Sequence, residues 1–424
     1  MLTQRALDPT SGTDASADGA KSVKIYQSLR IGSVVSLCRY PRTVKKIWPN
    51  PAAALTGAAR IRAIMRVLLA GGGSGGSATP VLAVAEVLRT RDPSIELLYI
   101  GTSAGPERDL VEAAGIPFQS VPAGKLRRYF SVQNVWDVGN LALGLTRSLM
   151  TVRRFKPDVG FGAGGFACVP PLWAARLSGV PIHIHQQDAI PGLANRLLAP
   201  AATSISVTFE ETLRHFPGSR TSRQGNPVRP SVLAGDRDRF FKQFDLDPKV
   251  PLVLVTGGGT GALKLNQLVA RASARLVEHT QIVHLTGQGR AVDVQLRSPR
   301  YVERPFFVDE MADALHAATV VVSRAGLGTL SEIAALGLPA IVVPMPRSHQ
   351  GANARIMHAH GAAVVLDEDL LTPEKLIDQV LQLIASAERR NELSIAVQTL
   401  LPADAAERIA DRIEELGHSR ARDC

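Results

Sequence analysis

Three glycine-rich segments are the first residues of this 424-residue chain whose type and spacing could do chemistry. Gly71-Gly72-Gly73-Ser74-Gly75-Gly76 follows the apolar run MRVLLA, Gly162-Ala163-Gly164-Gly165 follows DVGF, and Gly257-Gly258-Gly259-Thr260-Gly261 follows PLVLVT. Glycine lets backbone amides approach an anion with no side chain between them. A helix starting at such a loop adds unpaired N–H groups and the positive end of its dipole. A diphosphate suits that combination. One such loop is weak evidence, because many strand-to-helix turns use glycine for tight packing, but recurrence in both halves strengthens it. Gly71, Gly73 and Gly76 have G-x-G-x-x-G spacing, but the strand pattern that follows at 95–100 closes on no acid, and G-x-x-x-x-G-K-[ST] is absent. NAD-dependent oxidation and P-loop ATP hydrolysis are therefore disfavoured.

The most informative segment is Ser323-Arg324-Ala325-Gly326-Leu327-Gly328-Thr329-Leu330-Ser331-Glu332. Thr329 and Glu332 have capping-box spacing, each suited to satisfy an amide of a helix's first turn. The same turn offers free amides from Leu327 to Leu330 for phosphate, with Glu332 placed to accept from ribose hydroxyls. His185-Gln186-Gln187-Asp188 closes another strand pattern, and His349-Gln350 with Asn353 stands at the corresponding edge of the second half. Such edges bind ligands in open α/β sheets. His183 and His185 are two apart, but no His, Asp or Glu grouping has good metal spacing, so no metal is expected. Gly124-Lys125-Leu126-Arg127-Arg128-Tyr129 is a basic loop; read alone it is a solvated face, and beside the second glycine loop it could grip a pyrophosphate.

The elements that must position these residues alternate. Strand patterns at 66–70, 95–100, 158–161, 181–185 and 203–207 are interleaved with helical stretches at 79–90, 105–114, 133–155 and 190–199. Gly225-Asn226-Pro227-Val228-Arg229-Pro230 then punctuates the chain. Strand patterns resume at 251–256, 281–286, 318–323 and 339–344, and 373–416 reads as helical. Short apolar runs alternating with amphipathic helices imply parallel sheets. The expected fold class is α/β: one doubly wound domain over 65–229 and another over 230–424. The last helix is also a candidate to cross back to the first domain.

Residues 1–64 lack periodicity, carry ten Lys/Arg against three Asp/Glu, and read as mostly disordered. Two origins stay open for them: an upstream start mis-call with Met65 as the true start, or a basic leader. Residues 65–229 carry seventeen basic against eleven acidic side chains, and 230–424 twenty-one against twenty-four. The excess positive charge of the first two segments suits an anionic surface or substrate. No run of eighteen apolar residues marks a membrane span. Cys38, Cys168 and Cys424 are few and far apart, which fits a reducing compartment.

In this order GGGSGG, FGAGG, HQQD, GNPVR, GGGTGALKLNQ, SRAGLGTLSEIAALGLP and HQGANA resemble the MurG family of bacterial glycosyltransferases, from Met65 to about residue 405. The resemblance implies the GT-B fold, two Rossmann-like domains flanking a cleft. It implies inverting transfer of GlcNAc from UDP-GlcNAc to undecaprenyl-pyrophosphoryl-MurNAc-pentapeptide in peptidoglycan synthesis, by a peripheral enzyme on the cytoplasmic face of the cell membrane. No cofactor is implied beyond the substrate UDP-GlcNAc, and no nucleic-acid partner. Carried over by position, Ser74, Gly75, Gly76, Asp188, Arg229, Gly259, Val308, Leu327, Gly328, Thr329, Leu330, Ser331, Glu332 and Gln350 would bind the donor. Gly164, Gly165, Lys125, Arg127 and Arg128 would face the acceptor.

Two departures stand out. The family's G-G-x-G-G-H ends here in Ser77, and that His is a favoured general base; Asp188 stands where the family usually has Asn. A serine hydroxyl is a poor base without a partner to take its proton. Asp188 is therefore expected to compensate, as base or through Ser77. Three alternatives remain open at this level: a related lipid glycosyltransferase with another donor or acceptor, a catalytically silent nucleotide-sugar binder, and a nucleotide-sugar epimerase of like architecture.

Overall fold

The computed structural model describes residues 64–73, 75–103, 105, 107–122, 133–258, 261–294 and 296–423. The expected disorder of 1–64 falls, apart from Ile64, outside the described residues. The first half builds a parallel sheet from β1 (Arg66–Ala70), β2 (Glu96–Gly101), β3 (Phe118–Ser120), β4 (Val159–Gly162), β5 (Ile182–Gln186), β6 (Ser204–Val207) and β7 (Thr221–Arg223), in the order β3-β2-β1-β4-β5-β6-β7. Its helices are α1 (Gly75–Arg91), α2 (Glu107–Ala113), α3 (Gln133–Phe155), α4 (Val169–Leu177) and α5 (Leu193–Leu198).

The second half repeats the plan. Strands β8 (Leu252–Thr256), β9 (Gln281–Leu285), β10 (Tyr301–Arg304), β11 (Val320–Ser323), β12 (Ala340–Val342) and β13 (Val364–Val365) pair in the order β10-β9-β8-β11-β12-β13, all parallel. The helices are α6 (Arg237–Gln243), α7 (Leu263–Leu276), α8 (Met311–Ala317), α9 (Leu327–Ala335), α10 (Gln350–Ala359), α11 (Pro373–Ala385), α12 (Ala387–Leu400) and α13 (Ala405–Asp423). Two doubly wound parallel-sheet units are the GT-B architecture expected from the sequence.

Each sheet is covered on both faces because side chains alternate along a strand. Val67 and Leu69 of β1 enter one core with Val81, Val84 and Leu88 of α1; Leu68 and Ala70 enter the opposite core with Leu172 of α4. In β8, Leu252 and Leu254 face the core that holds Leu330 and Ile333, and Val253 and Val255 face the one that holds Leu265 and Val269. Burial on both faces explains why these strands read as unbroken apolar runs. Truncating Leu68, which is fully buried, to Ala is expected to destabilise by about 2–5 kcal/mol.

Helix α13 belongs to the first sheet, not to the second half in which the sequence boundary placed it. Ala406, Ile409, Ala410 and Ile413 recur at helical spacing and pack with Met65 and Val67. Arg91 meets Asp411 at 2.7 Å, and the Arg420 guanidinium donates to Pro157 O at 2.8 Å. Leu400 and Leu401 still lie in the second half's core, so the chain crosses back between Leu401 and Ala405.

Candidate active site

Strand order reverses between β1 and β4 in one sheet and between β8 and β11 in the other. Crevices open at the carboxyl ends of strands at such switch points. The loops leaving β1, β4, β8 and β11 are the glycine loops at 71–76, 162–165 and 257–261 and the segment 324–326. The topology thus delivers every glycine motif of the sequence to a switch point.

In the first sheet the loops pack against each other. Gly72 and Gly165 adopt φ of +144° and +83°, and a Cβ on either would collide, with Glu107 Oε1 and with Gly72 O respectively. The Glu107 carboxylate is fully buried under the loop. Its Oε1 accepts from Gly73 N at 3.3 Å, from Thr102 N at 3.0 Å and from the Thr102 hydroxyl. Ser77 is buried near the start of α1, and its Oγ lies 3.1 Å from where a Gly165 Cβ would sit. Gly164 also has positive φ, beside the Asn195 amide. Helix α1 starts at Gly75, four residues before the expected 79, so Gly75 and Gly76 are first-turn amides without intrahelical acceptors. A Cβ on Gly76 would meet nothing within 4 Å.

The His-Gln-Gln-Asp segment divides by depth. His185 and Gln186 belong to β5 and are buried, whereas the Asp188 side chain is 32% exposed. His183 and His185 both hydrogen-bond Ser206 Oγ at 2.9 Å, and His185 Nε2 meets Asn226 Oδ1 at 3.1 Å. Burial lowers His183 to about 3, helped by His185 and Arg412, and lowers His185 to about 4 against the pull of Asn226. Both imidazoles are therefore neutral structural groups. Asn195 Nδ2 donates to Gln186 Oε1 at 2.8 Å, Gln186 Nε2 to Asp188 O at 2.8 Å, and Gln187 Nε2 to Ala163 O at 3.2 Å. The last bond fastens the Asp188 loop to the second glycine loop. Asp188 Oδ1 accepts from Asn353 Nδ2 at 2.9 Å, and Oδ2 lies 4.0 Å from His349 Nε2.

Across from it, α9 begins at Leu327 with Gly326 as its N-cap and no side-chain cap. The capping box expected from Thr329 and Glu332 is not formed: the helix starts two residues before Thr329, so that residue sits inside the first turn. The run of free amides is also shorter than expected. Leu330 N donates to Gly326 O at 3.0 Å, and the buried Ser331 hydroxyl donates to Leu327 O at 2.7 Å while accepting from Asn226 Nδ2 at 2.9 Å. The first-turn donors are those of Leu327, Gly328 and Thr329. Side chains at 326 or 328 would meet nothing within 4 Å.

Glu332 turns toward Arg229 of the connecting segment, at 3.7 Å. Burial raises the Glu332 carboxyl and the Arg229 guanidinium opposes the rise. Gln350 opens α10, and its Oε1 accepts from Met345 N at 3.0 Å. Val308 is 69% exposed in the loop after β10. Ser74, Gly259, Lys125, Arg127 and Arg128 lie outside the described residues.

Sequence reasoning missed three supports. Arg324 is buried in an ion pair with Glu368 and donates to Val343 O at 3.1 Å, bracing the loop into α9. Glu107 props the first glycine loop, and Asn226 joins β5 to α9. Of these only Asn226 carried a signal, its place in the Gly-Asn-Pro punctuation.

This geometry has relatives. Family models described as the glycosyltransferase family 28 N-terminal and C-terminal domains match residues 67–207 and 252–409. The UDP-N-acetylglucosamine--N-acetylmuramyl-(pentapeptide) pyrophosphoryl-undecaprenol N-acetylglucosamine transferase of Bacillus subtilis is 35% identical over 362 residues, 83% of this chain and 99% of the relative. The chain belongs to the MurG family. A protein of the same description from Desulforudis audaxviator is 37% identical, over 83% of this chain and 98% of its own length. Acinetobacter baumannii MurG superposes with a TM-score of 0.64 at 25% identity, covering 83% of this chain and 99% of that one. A UDP-GlcNAc 2-epimerase from Neisseria meningitidis superposes with a TM-score of 0.61 at 14% identity, over 83% of this chain and 100% of that one, a likeness of fold alone. The MurG-family chain is thus a glycosyltransferase whose motif loops converge on two switch points joined through Asp188 and Asn353.

Proposed function

We propose that this chain transfers N-acetylglucosamine from UDP-GlcNAc to a hydroxyl of a lipid-linked muramoyl-pentapeptide acceptor, with inversion. The acceptor oxygen attacks the anomeric carbon as the bond from that carbon to the UDP oxygen breaks. The hydroxyl proton passes to the Asp188 carboxylate, directly or through Ser77. UDP leaves onto the first turn of α9, where the amides of Leu327, Gly328 and Thr329 and the positive helix end stabilise the departing charge. That stabilisation needs no divalent cation. Glu332, with Arg229 beside it, receives the ribose hydroxyls, Gln350 the sugar hydroxyls, and the exposed loop at Val308 the uracil.

One observation carries this reading: Asp188 is a partly exposed carboxylate whose partner, Asn353, also grips the loop into α9 through Ala325 O. Proton acceptor and leaving-group site therefore belong to one hydrogen-bonded cluster. Asp188→Asn should lower kcat by about 100-fold or more, the usual scale of losing a general base. Unchanged turnover would sink the assignment.

Ser77 supports a second reading, a nucleotide-sugar binder without turnover; UDP-GlcNAc binding with no product would mark it. Among the described residues no helix is long and apolar enough to cross a membrane. The basic excess of the first 229 residues supports attachment to an anionic membrane surface instead. Sedimentation with anionic vesicles that weakens as salt is raised would bear this out.

A further inference from the structure

Asn353 is fully buried on α10, and its side-chain amide has one acceptor oxygen and two N–H donors to place. The oxygen accepts from Ala189 N at 3.0 Å. The nitrogen donates to Asp188 Oδ1 at 2.9 Å and to Ala325 O at 3.1 Å. These partners fix the amide's orientation: turned over, it would set its N–H groups against the Ala189 N–H and its oxygen against a carboxylate and a carbonyl. Asp188 and Ala189 follow β5 of the first sheet, and Ala325 follows β11 of the second. One nitrogen therefore holds a carboxylate from one half and the entry to the phosphate-facing turn from the other.

We propose that Asn353 is the positioning residue for transfer: it holds the Asp188 carboxylate in register with the first turn of α9. It touches neither substrate nor reacting atom and works through Asp188, so the inference rests on Asp188 as proton acceptor. A carboxylate turns freely about its side-chain torsions in water. A hydrogen bond to the ionised group restrains it and is stronger than one between neutral groups. Because the same nitrogen binds Ala325 O, the restraint is measured from the leaving-group site. Oδ2, the oxygen that Asn353 does not engage, is the one left for the acceptor's proton. Misplacing a catalytic group by about 1 Å costs on the order of 100-fold, so a positioning amide should affect turnover well before donor binding.

The test is a double-mutant cycle in the full chain, with kcat, KM for UDP-GlcNAc and thermal midpoint measured for wild type, N353A, D188N and the pair. Residues acting through one another are non-additive, so N353A should lower wild-type kcat by about tenfold or more and D188N kcat by less than about twofold. KM for UDP-GlcNAc should move by less than about threefold, the mark of an interaction that acts in the transition state. An equal loss in both backgrounds would reduce Asn353 to a structural role and overturn the proposal, as would full turnover in N353A. If D188N itself keeps wild-type kcat, the reading of Asp188 fails and the positioning role falls with it. Should N353A not fold, Asn353→Asp keeps the shape but turns an acceptor toward Asp188 and Ala325 O; the same non-additivity is expected, and its absence is equally fatal.

Discussion

The glycines packed around β1 and β4 and those that open α9 meet different surroundings. Around β1 and β4 the protein fills the space that side chains would need: Gly71 is 2.5 Å from the Tyr99 hydroxyl at its absent Cβ, Gly73 abuts the Phe166 ring, and Gly165 abuts the Gly72 backbone. Around β11, Gly326 and Gly328 have φ that any residue tolerates at N-cap and helix positions, and no atom comes within 4 Å of their absent Cβ. The first set is required by packing and by positive φ. The second is required by neither, which supports the proposed close approach of a ligand to this backbone. Glycine thus closes a structural joint after β1 and β4, and at the start of α9 it leaves the backbone open, as the proposed phosphate contact requires.

The largest expected effect breaks the first set. Gly165→Ala combines left-handed backbone with a backbone collision and should leave too little folded protein to assay, a destabilisation of roughly 3 kcal/mol or more. Thermal unfolding checks it; a wild-type midpoint would show that the loops can separate. Gly328→Ala should do the opposite. Alanine in a helix is favoured over glycine by about 1 kcal/mol, so the midpoint should hold or rise while KM for UDP-GlcNAc climbs about tenfold from lost backbone access. Wild-type kinetics would remove α9 from the phosphate site.

The smallest effects lie in pH dependence, and the two halves differ in sign. His183 and His185 are held near 3 and 4 when folded, below the ordinary 6.5. The unfolded chain binds their protons first, so the first half loses stability as pH falls below about 6.5. Glu332 is raised above the ordinary 4.5. There the folded state binds the extra proton, so stability falls as pH rises above about 4.5. Urea midpoints against pH should show Glu332→Gln gaining on wild type as pH rises through that range, with UDP-GlcNAc binding weakened because an amide replaces the charged ribose acceptor. A gap that stays constant with pH would mean that Glu332 is not desolvated.

Much of this was legible in the chain. Burial on both faces makes a strand an unbroken apolar run, so Arg66–Ala70, Leu252–Thr256 and their like stood out. Strands β3, β7, β10 and β13, two to four residues each and only partly buried, carry too short a pattern to read. The capping-box spacing of Thr329 and Glu332 goes unused because α9 starts at Leu327, and local spacing cannot reveal Arg229, which faces Glu332. Asp188 was visible as a departure from a family pattern, but its partner Asn353 lies 165 residues on. Arg324 and Glu368, 44 residues apart, had no signal, since an ion pair closed by tertiary packing leaves no periodicity.

The most direct measurement is transfer of labelled GlcNAc from UDP-GlcNAc to a soluble lipid I analogue by the full chain, with and without EDTA. The expected result is a disaccharide-linked product at the same rate in both, slowed about 100-fold or more in D188N. UDP-GlcNAc binding without any transfer would contradict the assigned activity, and transfer abolished by EDTA would contradict the role given to the first turn of α9.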